Sequence, residues 1–319
     1  MKNRSPENKI AKSLLQKIIY FDIFSYPLLP IEIIKYCNYP NLKLDEGINV
    51  LETLKNKKLI NYEAGFYFLG TDPSKVKQRL EDNHLANKRM NTAKKYARFI
   101  SNFPYVRAVL ISGSLSKNVM KPDSDIDYFI ITKPGRLWVC RAILTFFKKI
   151  FLGNSYRNFC LNYFIDTDSL EIPDKNIFTA TEIVFILPMY NYELYQQFMA
   201  ANRWCHNEFP NLENHPENVK IKPSRKIKSI FETLLNNGFG DWLDEKCFSV
   251  ISQYWRKKFS HFDENRFSLN LRSQKNVSKH HPNGYQESVL KKYEEKIHSF
   301  EQSTGFRLSN AVKKATATS

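Results

Sequence analysis

The chain has 319 residues, 42% of them hydrophobic and 14% aromatic, which excludes a disordered chain and leaves room for two or three folded units. Lys plus Arg number 48 against 32 for Asp plus Glu, a net charge of +16; this favours anionic partners such as nucleotides, although a bias toward Lys, Asn and Ile along the whole chain is the simpler source of most of the excess. No run approaches the roughly 20 apolar residues of a membrane span, the first residues lack the apolar centre of a secretory signal, and the five cysteines show neither a CxxC pair nor zinc spacing, so a cytoplasmic protein with free thiols and no membrane partner is expected.

Residues 1–72 read as a small helical unit. Apolar periodicity predicts helices over 14–24, just after Pro30, and over 44–57, where Ile48, Leu51 and Leu54 share a face. Two β-prone runs follow, with a turn at Glu63, Ala64 and Gly65. Three helices and a hairpin outline a winged helix. Its third helix opens with Leu44, Asp45 and Glu46, and carboxylates there repel a DNA duplex. Sequence-specific DNA binding is therefore not expected. Contact with a protein partner, or with the rest of the chain, is.

Residues 74–100 predict one long helix with a basic outer face. Residues 73–190 then read as one α/β unit. Strands are expected over 105–113, 127–132 and 158–166, with helices over 136–152 and 179–190. Residues 191–305 read as helical, with helices over 192–210, 239–259 and 285–300 and a polar, basic loop over 268–284. A disordered tail is expected over 306–319.

The segment VRAVLISGSLSKNVMKPDSDIDYFIIT carries the chemistry. A buried strand runs into Gly113 and Ser114. Gly113 lets the backbone turn and approach a ligand. Ser114 opens a short helix over 115–119 whose free N–H groups suit phosphate. After a loop, Asp125 and Asp127 enter the next strand two residues apart and so share a face. Two adjacent carboxylates suit Mg²⁺ (or Mn²⁺), which completes its shell with water and phosphate oxygens. Asp-x-Asp by itself is common; strand, Gly-Ser, short helix, loop and Ser-Asp-Ile-Asp in that order is far more specific. Lys117 and Lys121 flank the loop, where they can meet a triphosphate.

This arrangement resembles the Gly-Ser … Asp-x-Asp signature of the polymerase-beta-like nucleotidyltransferase superfamily. The runs YFDIFSYPL, ISGS, SDID, TKPGRLW, CLNYF and ANRW are similar to a bacterial subfamily that joins a winged-helix-like N-terminal region to the transferase domain. The resemblance covers roughly 14–210 well and the last third loosely. It implies an α+β fold: a winged-helix-like unit, a central mixed sheet with flanking helices, and a helical C-terminal region. It also implies a nucleoside triphosphate donor, Mg²⁺ and an acceptor that it does not name. The superfamily places a third carboxylate on an adjacent strand. Here that position falls on Asn162, which cannot act as a base, while Asp166 lies on the same face further along. The expected site is then Asp125 and Asp127 for metal, Asp166 as candidate base, and Gly113, Ser114, Lys117, Lys121 and Asn162 toward the nucleotide. The alternative is a catalytically weak or inactive nucleotide-binding sensor.

Other polar residues fit blander roles. His280 and His281 are expected in a solvated loop. Arg136 and Arg141 either solvate their helix or reach a phosphate.

Overall fold

The computed structural model describes residues 6–308, except 154, 156, 214 and 215. The expected tail lies outside these residues from 309 onward. Three helices, α1 (Pro6–Asp22), α2 (Pro30–Tyr36) and α3 (Leu44–Asn56), precede a hairpin of β1 (Asn61–Glu63) and β2 (Phe66–Phe68). The long α4 (Ser74–Ser101) leads into β3 (Val106–Ser112), the short α5 (Gly113–Ser116), β4 (Asp127–Thr132), α6 (Leu137–Phe151) and β5 (Cys160–Asp166). Next come α7 (Ile177–Val184), β6 (Leu187–Tyr190), α8 (Tyr192–Ala201), α9 (Arg225–Leu234), α10 (Gly238–Lys258), α11 (Glu264–Asn270), β7 (Ser273–Gln274), β8 (Val277–Lys279) and α12 (Tyr285–Thr304). No described helix is long and apolar enough to cross a membrane.

The fold is α+β. Six strands form one mixed sheet in the order β6-β3-β4-β5-β8-β7. β4 and β5 run parallel, joined through α6, and the other neighbours are antiparallel. The central strands are apolar on both faces because both faces are covered. Val109, Ile111, Tyr128, Ile130 and Phe164 pack beneath α4 and α6. Ala108, Leu110, Phe129, Ile131, Tyr163 and Ile165 pack beneath α7 and α8. On α4 the residues that meet the sheet are Ala86, Ala93 and Ala97, whose small side chains let a 28-residue helix lie close to it.

A third core belongs to α1, α2 and α3, but not to them alone. Leu14, Ile18, Tyr20, Ile33 and Leu51 are buried together with Ile177 and Phe178 of α7 and with Val289, Tyr293, Ile297 and Phe300 of α12. The boundary expected at 72/73 therefore marks a change of element pattern rather than a break in the core. The expected order of three helices and a hairpin is present.

Four stretches differ from expectation. The helix expected over 179–190 ends at Val184, and Leu187–Tyr190 pairs with β3. Pro188 has no N–H to donate, which a helix interior does not tolerate and an edge strand does. The loop expected over 268–284 holds the end of α11 and both β7 and β8, with β8 hydrogen-bonded to β5. The helix α9 was also not apparent in the sequence. The helix expected over 192–210 stops at Ala201 and gives way to a 3₁₀ turn over Arg203–Asn207.

Candidate active site

β3 and β4 pair antiparallel with Ser112 opposite Asp127. The strand that delivers Gly113 thus ends beside the one that begins with Asp127. Gly113 sits at φ +67, a left-handed conformation that favours glycine. A Cβ added there would collide with the Asp127 carboxylate. Glycine is needed at this point for both reasons.

Asp127 Oδ1 accepts a hydrogen bond from Asn162 Nδ2. Asn162 Oδ1 in turn accepts from Cys160 Sγ at 3.1 Å. Asn162 falls at an irregularity in the β4–β5 register, between Leu161 and Tyr163, and that irregularity brings its amide to Asp127. The expectation that Asn162 lies beside the aspartates agrees with this contact. Burial pushes the Asp127 carboxyl up to about 7. The Cys160 thiol draws it down, the charges of Glu182 and Asp125 raise it further, and Lys117 lowers it. Asp125 is half-buried just before β4. Its neighbour Ile126 is pinned on both sides: Ile126 N donates to Arg157 O at 3.1 Å, and Cys160 N donates to Ile126 O at 3.1 Å.

Lys117, at the end of α5, donates from Nζ to Gly113 O at 2.9 Å and pairs with Glu182 Oε1 at 2.8 Å. Glu182 comes from α7, and its side chain keeps 28% of its surface exposed. Sequence reading missed it: a single Glu in an apolar helix carries no local signal, and only the fold brings α7 to the end of α5. Ser114 is half-exposed, with Oγ 3.6 Å from Met120 Sδ. Lys121 is exposed in the loop, where its backbone N–H donates to Ser124 Oγ at 3.1 Å. The N-terminal unit reaches this site directly, because Tyr26 Oη donates to Lys117 O at 3.2 Å. Arg79 of α4 lies over the Tyr26 ring, 3.6 Å from its centroid, and pairs with Glu32 at 2.7 Å.

Asp166 is not part of this arrangement. It pairs with Thr132, at the far end of β4. Five residues of strand put it roughly 16 Å from Asp127, so the expectation of Asp166 as base does not fit the register. Its carboxylate accepts from Asp168 N at 3.1 Å and lines a cavity of about 430 Å³ together with Asp241, Asp244, Glu245 and Lys275. That cavity lies at the opposite end of the sheet from Gly113, and the motif residues do not line it. Geometry outweighs cavity size here: the Gly-Ser turn, the paired aspartates and Lys117 converge elsewhere.

Arg136 is buried against Asp241 and Leu235 O, tying α6 to the α9–α10 connection. Arg141 is buried between the rings of Phe164 and Trp255, 4.8 Å from each. His280 and His281 are half-buried rather than solvated as expected. The His280 ring packs 4.8 Å from Trp255, and the His280 backbone N–H donates to Asn162 O at 2.9 Å.

The donor set suits a hard divalent cation. Asp127 and Asp125 present carboxylate oxygens with Glu182 adding negative charge nearby. Among the described residues, no group of three or more His, Cys, Asp or Glu side chains converges to hold a metal unaided. A pair of carboxylates that leaves the remaining positions to water and phosphate is the pattern expected for Mg²⁺.

Residues 92–178 match the family model of the nucleotidyltransferase domain, so the match covers β3 through β5, from Gly113 to Asn162, and excludes Glu182. No curated protein and no solved structure matches the chain.

Proposed function

With residues 92–178 belonging to the nucleotidyltransferase-domain family, polymerase-beta-like in type, we propose that the chain transfers a nucleotidyl group from a nucleoside triphosphate to an acceptor, using Mg²⁺ or Mn²⁺. The observation that carries this reading is the register of Ser112 opposite Asp127, which sets the Gly-Ser turn against a half-buried carboxylate. Gly113 and Ser114 meet the phosphates, with Lys117 beside them and Lys121 at the loop. Asp125 and Asp127 hold the metal. When bound, the ion supplies charge neutralisation for the triphosphate.

In the reaction the acceptor oxygen forms a bond to the α-phosphorus. The bond from that phosphorus to the bridging oxygen breaks, and pyrophosphate leaves with the electron pair. The acceptor proton needs a base. Asn162 cannot take it, and Asp166 is too far away. Glu182 pairs with Lys117 beside Gly113, on the side of the departing pyrophosphate, so the acceptor proton passes to water and transfer is slow.

One observation favours a second reading, a nucleotide-binding sensor. The strand position next to Asp127 holds an amide rather than a carboxylate. Incubation with each labelled nucleoside triphosphate and Mg²⁺, followed by assay of pyrophosphate and of labelled acceptors, the protein included, separates the two. Pyrophosphate released in step with a labelled product supports transfer. Tight binding without turnover supports the sensor. Absence of both removes the reading altogether.

A further inference from the structure

Two arginines from distant parts of the chain meet on the flank of Asp125. Arg89 of α4 donates from Nη2 to Arg157 O at 2.8 Å and to Asn158 Oδ1 at 3.0 Å. The same Arg157 carbonyl accepts from Ile126 N at 3.1 Å. The Arg89 guanidinium and the Asp125, Ile126, Asp127 segment are therefore fastened to a single oxygen. Arg157 itself is exposed, with Nη2 3.4 Å from Pro122 O in the loop before Asp125.

The two positive charges crowd each other here, and Asp125 offsets them only in part. Desolvation lowers the pKa of Arg89, and the Arg157 charge lowers it further, with Tyr128 and Asp125 acting the other way. Arg89 Nε is enclosed and has no hydrogen-bond partner. A planar guanidinium presents a fork of donors that matches phosphate, so the exposed Arg157, backed by the half-buried Arg89, fits that chemistry. Lys148 of α6 adds a third positive charge within electrostatic reach of Asp125.

The sheet order says which phosphate belongs there. β4 lies between β3 and β5. Gly113 and Lys117 approach the aspartates from the β3 side, while Arg157 and Asn158 immediately precede β5 on the other. Phosphoryl transfer is an in-line displacement, with attacking and leaving oxygens on opposite sides of phosphorus. If the triphosphate tail occupies the β3 side, the β5 side is left to the acceptor. We propose that Arg89 and Arg157 form a phosphate-binding subsite for the acceptor, so that the acceptor is a phosphorylated molecule. Arg89 precedes the segment that matches the family model.

This inference rests on the transferase reading, and calorimetry can test the two separately. The full chain is first saturated with Mg²⁺ and inorganic tripolyphosphate, which fills the Gly113 side without choosing a base. Inorganic phosphate is then titrated in. The expected result is phosphate binding that weakens about 10-fold in Arg157→Gln, the loss of one charge-assisted contact, and further in Arg89→Gln/Arg157→Gln, with tripolyphosphate affinity unchanged. Arg157 is exposed, so its single variant keeps the test open if the double variant fails to fold. Equal phosphate affinity in wild type and Arg157→Gln overturns the subsite, as does a wild type that binds tripolyphosphate but no phosphate. Loss of tripolyphosphate affinity in Arg157→Gln also overturns it, by giving the arginines to the nucleotide. Failure of tripolyphosphate to bind the wild type counts against the transferase reading instead; phosphate titrated alone then decides the subsite, binding that Arg157→Gln weakens supporting it and binding that is absent or unchanged overturning it.

Discussion

A methyl group at position 113 would have to occupy space that the Asp127 carboxylate fills. The backbone there is left-handed as well, which costs a non-glycine residue of order 1 kcal/mol. Gly113→Ala is expected to displace Asp127 and to weaken Mg·nucleotide binding by at least about 10-fold, with only a small loss of thermal stability. Calorimetry and a melting curve on the same sample check both parts. Glu182→Gln makes the complementary prediction. It removes the carboxylate that holds Lys117 and is expected to tighten Mg·nucleotide binding about 3-fold, read in the same calorimetry. Weaker or unchanged affinity would show that Lys117 does not meet the phosphates. These residues differ in how far the sequence reveals them. Gly113, Ser114, Asp125 and Asp127 are legible because a turn and a strand two residues deep must place them within a short span. Glu182 and Arg89 are not, because only the packing of α7 and α4 brings them near.

The β7–β8 hairpin shows the same limit for whole elements. Its strands are two and three residues long and polar in composition, so no alternation announces them. They form because β5 leaves an edge with unpaired N–H and C=O groups, which β8 satisfies. The long strands β3, β4 and β5 were legible because both of their faces are buried, and apolar runs say so directly. The hairpin also leads into His280 and His281. Burial lowers each to about 3, helped by Arg141, Lys258 and Lys148 around His280 and by Lys279 and Arg141 around His281. Both are neutral in the folded protein, whereas the unfolded chain binds their protons below about pH 6.5. The unfolded state thus binds more protons between pH 6.5 and 3, and stability falls as pH falls through that window. At pH 5 each histidine accounts for a loss of roughly 2 kcal/mol relative to neutral pH. His280→Phe, which suits the Trp255 and Phe259 rings around it, is expected to flatten the urea-unfolding free energy between pH 6.5 and 5. A slope as steep as wild type would show that His280 takes up its proton without unfolding.

At the scale of the molecule, α1 and α12 bury the same core. Tyr20 and Tyr293 meet edge to face with centroids 5.4 Å apart, and Lys296 pairs with Asp22 at 2.6 Å. Burying each large aliphatic or aromatic side chain contributes roughly 1.5 to 3 kcal/mol. Removing residues 285–319 strips Val289, Tyr293, Ile297 and Phe300 from that core, a loss comparable to the 5 to 15 kcal/mol that holds a whole domain together. The shortened chain is expected to lose protease resistance across α1, α2 and α3, not only at the cut. A truncated protein whose first 70 residues stay protected would show that the N-terminal helices stand without α12.

The same embrace sets an order of events during synthesis. A ribosome makes this chain from α1 onward at about 5 to 20 residues per second, so α1 emerges many seconds before its partner exists. Through that interval the side of the α1, α2 and α3 core that Val289, Tyr293, Ile297 and Phe300 will cover remains open. Tyr26 cannot settle firmly on Lys117 until α12 has closed over the helices that carry it. The central sheet can form early, but the loop that carries Lys117 is the last part to be clamped, and the nascent protein reaches working shape only when α12 is out.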